Sequence, residues 1–172
     1  MQYDLINKNI NESSDFMVTS EEMKQFEGFE EVTNEKVAYQ VTAAEMRTFD
    51  NNILDLSDLI AERKKLYEKE NGITATEAYL DIEDFCQIST DTMKKAMCAK
   101  KITRMFLYKF VVGFKMNLEE ANKYFELCGG PLTRKNPDDY ICLNAIRDKD
   151  SIEILVETFL KYRNIKIGYD RG

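Results

Sequence analysis

The chain has 172 residues, 44% of them hydrophobic and 32% charged, with a formal net charge of -7. That length buries a core without staples, and the composition lies far from the disordered and collagenous extremes. Two prolines and seven glycines leave few breaks, which favours helices over a turn-rich β fold.

No apolar run approaches the roughly 18 residues that span a bilayer, and the first residues are not a basic leader, so a cytoplasmic protein without membrane contact is expected. The cysteines Cys86, Cys98, Cys128 and Cys142 show no CxxC spacing, and the chain has no histidine. Reduced, mostly buried thiols are the plain reading, with no metal and no cofactor. The missing histidine also removes Ser-His-Asp and Cys-His catalysis, and no phosphate-binding glycine loop is present, so the chain is not expected to be an enzyme.

Charge divides the chain. Residues 1–55 hold 12 acids against 4 bases, and residues 56–172 hold 19 acids against 20 bases. The acidity is therefore N-terminal. Residues 1–51 read as an acidic, weakly structured or mixed extension whose Phe16, Met17, Met23, Phe26 and Phe29 suit either a partner or the core. A short helix is expected after Thr19 and Ser20, ending near Gly28. Val37, Tyr39 and Val41 alternate before Thr42, which suits a helix cap; a short strand and a helix start both fit there.

From Asn52 the helical period strengthens, and seven helices are expected between 52 and 163. ILDLSDLIAERKKLYEKENG puts Ile53, Leu56, Leu59, Ile60, Leu66 and Tyr67 near one stripe and ends at Asn71-Gly72. TATEAYLDIEDFCQI starts at Ala75 or Thr76. Ser89 or Thr90 then caps DTMKKAMCAKK, with Met93, Ala96 and Met97 inward. TRMFLYKFVVGFKM is apolar around most of its circumference and is expected at the centre of the core. NLEEANKYFELCGG begins at Asn117 with Glu119 and Glu120 favouring the helix dipole, and stops at Gly129-Gly130. After a loop, DDYICLNAIRDK and SIEILVETFLKYR form a final helical pair. The chain thus divides into 1–51, a helical unit at 52–130 and a C-terminal hairpin with its tail at 131–172, all-α in class.

The segment 91–118 carries seven bases against the single acid Asp91. Hydroxyls and lysines at the start of a helix suit phosphate contact. Leu59 to Met116 resembles a helix-turn-helix domain of the phage-repressor (lambda repressor-like) type. LIAERKKLYEKENG corresponds to its first helix, TATEAYLDIEDFCQI to its second and ISTDTMKKAMCAKK to its recognition helix, while Thr103-Arg104 and Leu107 stand where the superfamily has a Ser-Arg-x-x-Leu helix. Over Asn117 to Gly130 and Asn136 to Tyr162 the chain is similar to small proteins of Gram-positive bacteria that append a helical hairpin to such a domain. The resemblance implies a transcriptional regulator that contacts double-stranded DNA through Ser89, Thr90, Thr92, Lys94 and Lys95, with Lys100, Lys101 and Arg104 on backbone phosphates. It also implies a homodimer. Glu83 stands where the family has a small residue at the helix crossing, and Gln87 where it has a turn glycine, so a distorted motif is expected. The alternative is a protein-binding module or inhibitor that reuses the fold without touching DNA, with the acidic arm engaging a basic partner or folding over the lysines.

Overall fold

The computed structural model describes residues 42–100 and 102–168, and in them the chain is all-α, a bundle of seven helices. The expectations for residues 1–41, including the short helix near Gly28 and the alternating Val37, Tyr39 and Val41, lie outside the described residues.

The first helix, α1 (Ala43–Asn71), begins nine residues before the strong hydrophobic period does. Its start is set by a capping box: the Thr42 hydroxyl accepts from the Glu45 N–H at 3.2 Å, and the Glu45 carboxylate accepts from the Thr42 N–H at 2.7 Å. Two orphan donors are thereby satisfied without any packing, which is why an exposed segment stays helical. The helix runs without interruption through residues 51 and 52 and stops where Gly72 turns left-handed at φ 63°.

The same logic places the next starts. Thr74 and Glu77 form a second capping box ahead of α2 (Ala75–Cys86), which starts at the first of the two expected positions. Ser89 caps α3 (Thr90–Met97), and Thr103 caps α4 (Arg104–Gly113). Asn117 and Glu120 make a third box at α5 (Leu118–Phe125). Asn136 caps α6 (Pro137–Asp148), whose first residue is a proline, and Ser151 precedes α7 (Ile152–Arg163).

The apolar α4 is the centre of the core, as expected of a helix hydrophobic on nearly every side. Phe106, Leu107, Tyr108, Phe110, Val111 and Val112 are all buried, and α4 packs on α2, α5, α6 and α7. Phe110 lies 4.7 Å from the Phe114 ring, which meets Phe85 at 5.0 Å and Tyr67 at 5.9 Å, so rings tie α1, α2 and α4 together. On the other side Tyr108 meets Phe125 at 5.6 Å and Phe159 at 5.7 Å. One cluster of buried residues runs from Leu56 to Ile167. Helices α6 and α7 pack on each other across the turn at 149–151, and the chain after α7 returns to bury Ile167.

Where α2 crosses α4, the backbones come unusually close. A Cβ at Gly113 would lie 2.7 Å from the Phe85 carbonyl oxygen and 2.3 Å from Cys86 Sγ. The small residue required by the crossing is thus supplied by α4. That explains a glycine inside an otherwise apolar helix.

Lys149 ends α6 in the left-handed region at φ 52°, and its carbonyl accepts from Lys115 Nζ at 3.0 Å. A side chain at that conformation costs roughly 1 kcal/mol that glycine does not incur. Lys149→Gly is therefore expected to raise the unfolding free energy by about 0.5 to 1 kcal/mol in urea titration, because the backbone acceptor remains.

Candidate functional site

The segment from α2 to α4 contains the cations expected to meet phosphate. Two of its residues, Gln87 in the turn and Glu83 on α2, looked unsuitable in their chemistry, and both are accommodated. Gln87 takes the left-handed conformation at φ 50°, and Lys109 Nζ donates to its carbonyl at 2.9 Å. Burial draws the Lys109 ammonium below the usual lysine range, with the Cys86 sulfur opposing that shift. Glu83 does not enter the helix crossing. Its Oε1 accepts from the Thr90 N–H at 2.6 Å, so a carboxylate on α2 caps the first turn of α3 from outside.

Some of the proposed contact residues are engaged within the fold, and Thr92, Lys94, Lys95 and Lys100 are exposed. Ser89 accepts from the Thr92 N–H at 3.1 Å and donates to the Thr92 hydroxyl at 2.8 Å, which commits the Ser89 hydroxyl to the cap. The Thr90 N–H is taken by Glu83. Lys95 pairs with Asp91 at 2.6 Å on the exposed face of α3, one turn apart. The Lys94 ammonium lies 5.3 Å from the centre of the Tyr79 ring, which the buried Lys64 approaches at 4.1 Å. Lys64 also pairs with Glu68. Lys100 is exposed, and Lys101 lies outside the described residues.

Arg104 decides the matter. Its Nη1 donates to the carbonyls of Cys128 at 2.6 Å and Gly130 at 2.7 Å. Its Nη2 and Nε donate to Asp139, at 2.8 Å for the closest pair, and its guanidinium lies 4.9 Å from the Phe125 ring centre. Asp139 is 1% exposed and also accepts from the Tyr108 hydroxyl at 2.5 Å and the Thr133 N–H at 3.1 Å. Burial, reinforced by the bond to Asp139, pushes the Tyr108 hydroxyl well above the usual tyrosine range. This is an internal clasp joining α4, the loop after α5 and α6. A guanidinium with four protein acceptors has little left for a phosphate.

The expectations of a DNA-binding surface and of a functioning helix-turn-helix are therefore corrected. Two short helices, α2 and α3, do follow each other across a three-residue turn, but Arg104, one of the cations assigned to phosphate, is held inside the fold. Arg104 faces inward to Asp139, Lys95 is paired with Asp91 on the exposed face, and the Ser89 hydroxyl serves as the cap. Sequence spacing alone brought them into one strip. The acceptors that capture Arg104 lie 24 to 35 residues downstream.

The remaining surface chemistry is sparse. All four cysteines are free; Cys86 and Cys142 are buried, and burial pushes both thiols well up, away from reactivity. Cys98 is exposed. No group of three metal-ligating side chains occurs among the described residues, and no helix there is long and apolar enough to cross a membrane. A shallow depression between α4 and α6, lined by Val112, Met116, Ala145 and Ile146, has room for about 10 Å³ of water-sized contents. That is too small for an organic ligand.

The apolar surface of α1 is different. Every residue from Thr42 to Asn51 is exposed, and the first buried residue of the helix is Leu56. Met46, Phe49 and Leu54 are 47%, 58% and 56% exposed. Sequence reading began this helix at residue 52 and so missed Met46 and Phe49 as surface groups. The signal was the Thr42–Glu45 box, which makes a helix out of residues that carry no buried stripe of their own. Compared with known proteins, the chain matches no family model, no curated protein and no solved structure.

Proposed function

We propose that the protein is a protein-binding module, and that the exposed first three turns of α1 are its docking surface. The observation that carries this reading is the exposure of Met46 and Phe49, about half or more of each side chain, on a helix whose other half is built into the core. Large apolar side chains set together on a projecting helix mark interaction sites more often than solvated faces, and aromatic and methionine residues are enriched where proteins meet. The helix is fixed before any partner arrives, because Thr42 and Glu45 hold its end and α2 and α3 pack on its C-terminal half. Pre-ordering of this kind lowers the entropic cost of association. The pairing of α6 with α7 supports reading those two as a helical hairpin attached to the first five helices, a support for the bundle and not part of the docking surface.

The test is a photoreactive phenylalanine analogue at position 49 in the full chain, produced in cells that make the protein. A discrete protein adduct is expected on illumination, lost when Met46→Asp is added and absent when the analogue stands at exposed Glu157 on α7. Failure to form any adduct from position 49 overturns the reading.

A further inference from the structure

On the reading that α1 docks protein, we propose that its occupant is an amphipathic helix whose apolar seam is flanked by lysine or arginine. At about 100° per residue, Met46, Phe49 and Ile53 lie within about 60° of one another. They line up with Leu56 and Ile60, which are buried in the bundle. The spacing from Met46 through Phe49, Ile53 and Leu56 to Ile60 alternates three and four residues, the seam period of helices that pack side by side. The stripe that α2 and α3 cover at its C-terminal end therefore continues, in register and exposed, toward Thr42. A helix laid along that end extends a packing mode the molecule already uses.

The rim of the stripe selects the partner. Glu45 and Asp50 fall on opposite sides of the seam, each about 70° from its midline, while Arg47 lies on the back of the helix. Both sides of the seam are thus acidic. The Thr42 backbone and hydroxyl bonds hold the Glu45 carboxyl below its ordinary range, so it stays ionised. A second copy of the chain fits poorly: antiparallel pairing that sets Met46 against Phe49 of the second copy also sets Glu45 against Asp50 of that copy. Like charges at seam-flanking positions oppose association, and opposite charges there choose partner and orientation. A basic-flanked helix meets both rims with the sign each requires.

The probe is a synthetic 21-residue peptide of leucine-seamed heptads with lysine at the flanking positions, titrated into the full chain by fluorescence anisotropy beside an otherwise identical peptide bearing glutamate. The lysine peptide is expected to bind at least tenfold tighter, and Glu45→Gln with Asp50→Asn to reduce that preference. Met46→Ser with Phe49→Ser is expected to abolish binding while thermal unfolding stays unchanged, since both side chains are exposed. Equal binding of the two peptides, no binding of either, or binding indifferent to Met46 and Phe49 overturns the proposal. So does a dimer in sedimentation equilibrium that the Met46 and Phe49 substitutions dissolve, which assigns the stripe to a second copy. A position-49 adduct with a partner whose docking helix is acidic leaves protein binding standing and removes only the basic-flanked occupant.

Discussion

Asp139→Ala is expected to lower the unfolding free energy by about 3 to 5 kcal/mol, read as a shifted midpoint in urea with unchanged slope. Asp139 is almost wholly buried and receives the Arg104 guanidinium, the Tyr108 hydroxyl and the Thr133 N–H. Removing the carboxylate leaves a partly buried cation and a buried hydroxyl without their acceptor, and the cost of stranding them exceeds the net worth of the pair itself. Arg104→Met should be damaging for the mirror reason, leaving the carboxylate inside with fewer donors. The double variant is expected to cost less than the two single losses added together, because neither charge is then stranded. Additive losses would mean that the two side chains act independently, contrary to the clasp.

Gly113→Ala is expected to be of similar severity, with a loss of about 3 kcal/mol or more despite alanine's better helix propensity, which favours the substitution by about 1 kcal/mol. The added methyl would lie 2.3 Å from Cys86 Sγ, 2.7 Å from the Phe85 carbonyl oxygen and 2.9 Å from Cys86 Cα. Two of those three atoms are backbone, so the helices must separate. Cys86→Ala placed in the same chain removes only the sulfur contact and should recover a minority of the loss in thermal or urea unfolding. Complete recovery would show that the crossing is limited by the thiol and not by the approach of α2 to α4.

How much of the fold was legible follows from where each signal resides. The helices from 52 to 163, the central place of TRMFLYKFVVGFKM and the stop at Gly72 are written in local period and in glycine and appear where those signals put them, whereas α5 ends at Phe125, short of the expected stop at Gly129-Gly130. Capping boxes are local too, a hydroxyl or amide and a carboxylate three residues apart. The Thr42 box nonetheless carried less weight than hydrophobic period, so α1 was begun nine residues late and its exposed Met46 and Phe49 were overlooked. The basic strip failed in the opposite direction. Seven bases between 91 and 118 are contiguous in sequence, and contiguity suggested one surface.

What the sequence by itself determined is the all-α class, the number and order of the helices between 52 and 163, and most of their ends, because caps, glycines and the 3.6-residue period act within a few residues of themselves. What only the tertiary structure decided is the use of individual side chains. Arg104 is drawn inside by carbonyls at 128 and 130 and by a carboxylate at 139, Glu83 is turned outward to cap α3, and Gly113 is required by a neighbour 27 residues earlier. Those partners come together only when helices pack, and a short sequence window carries no record of a contact that chain closure alone creates.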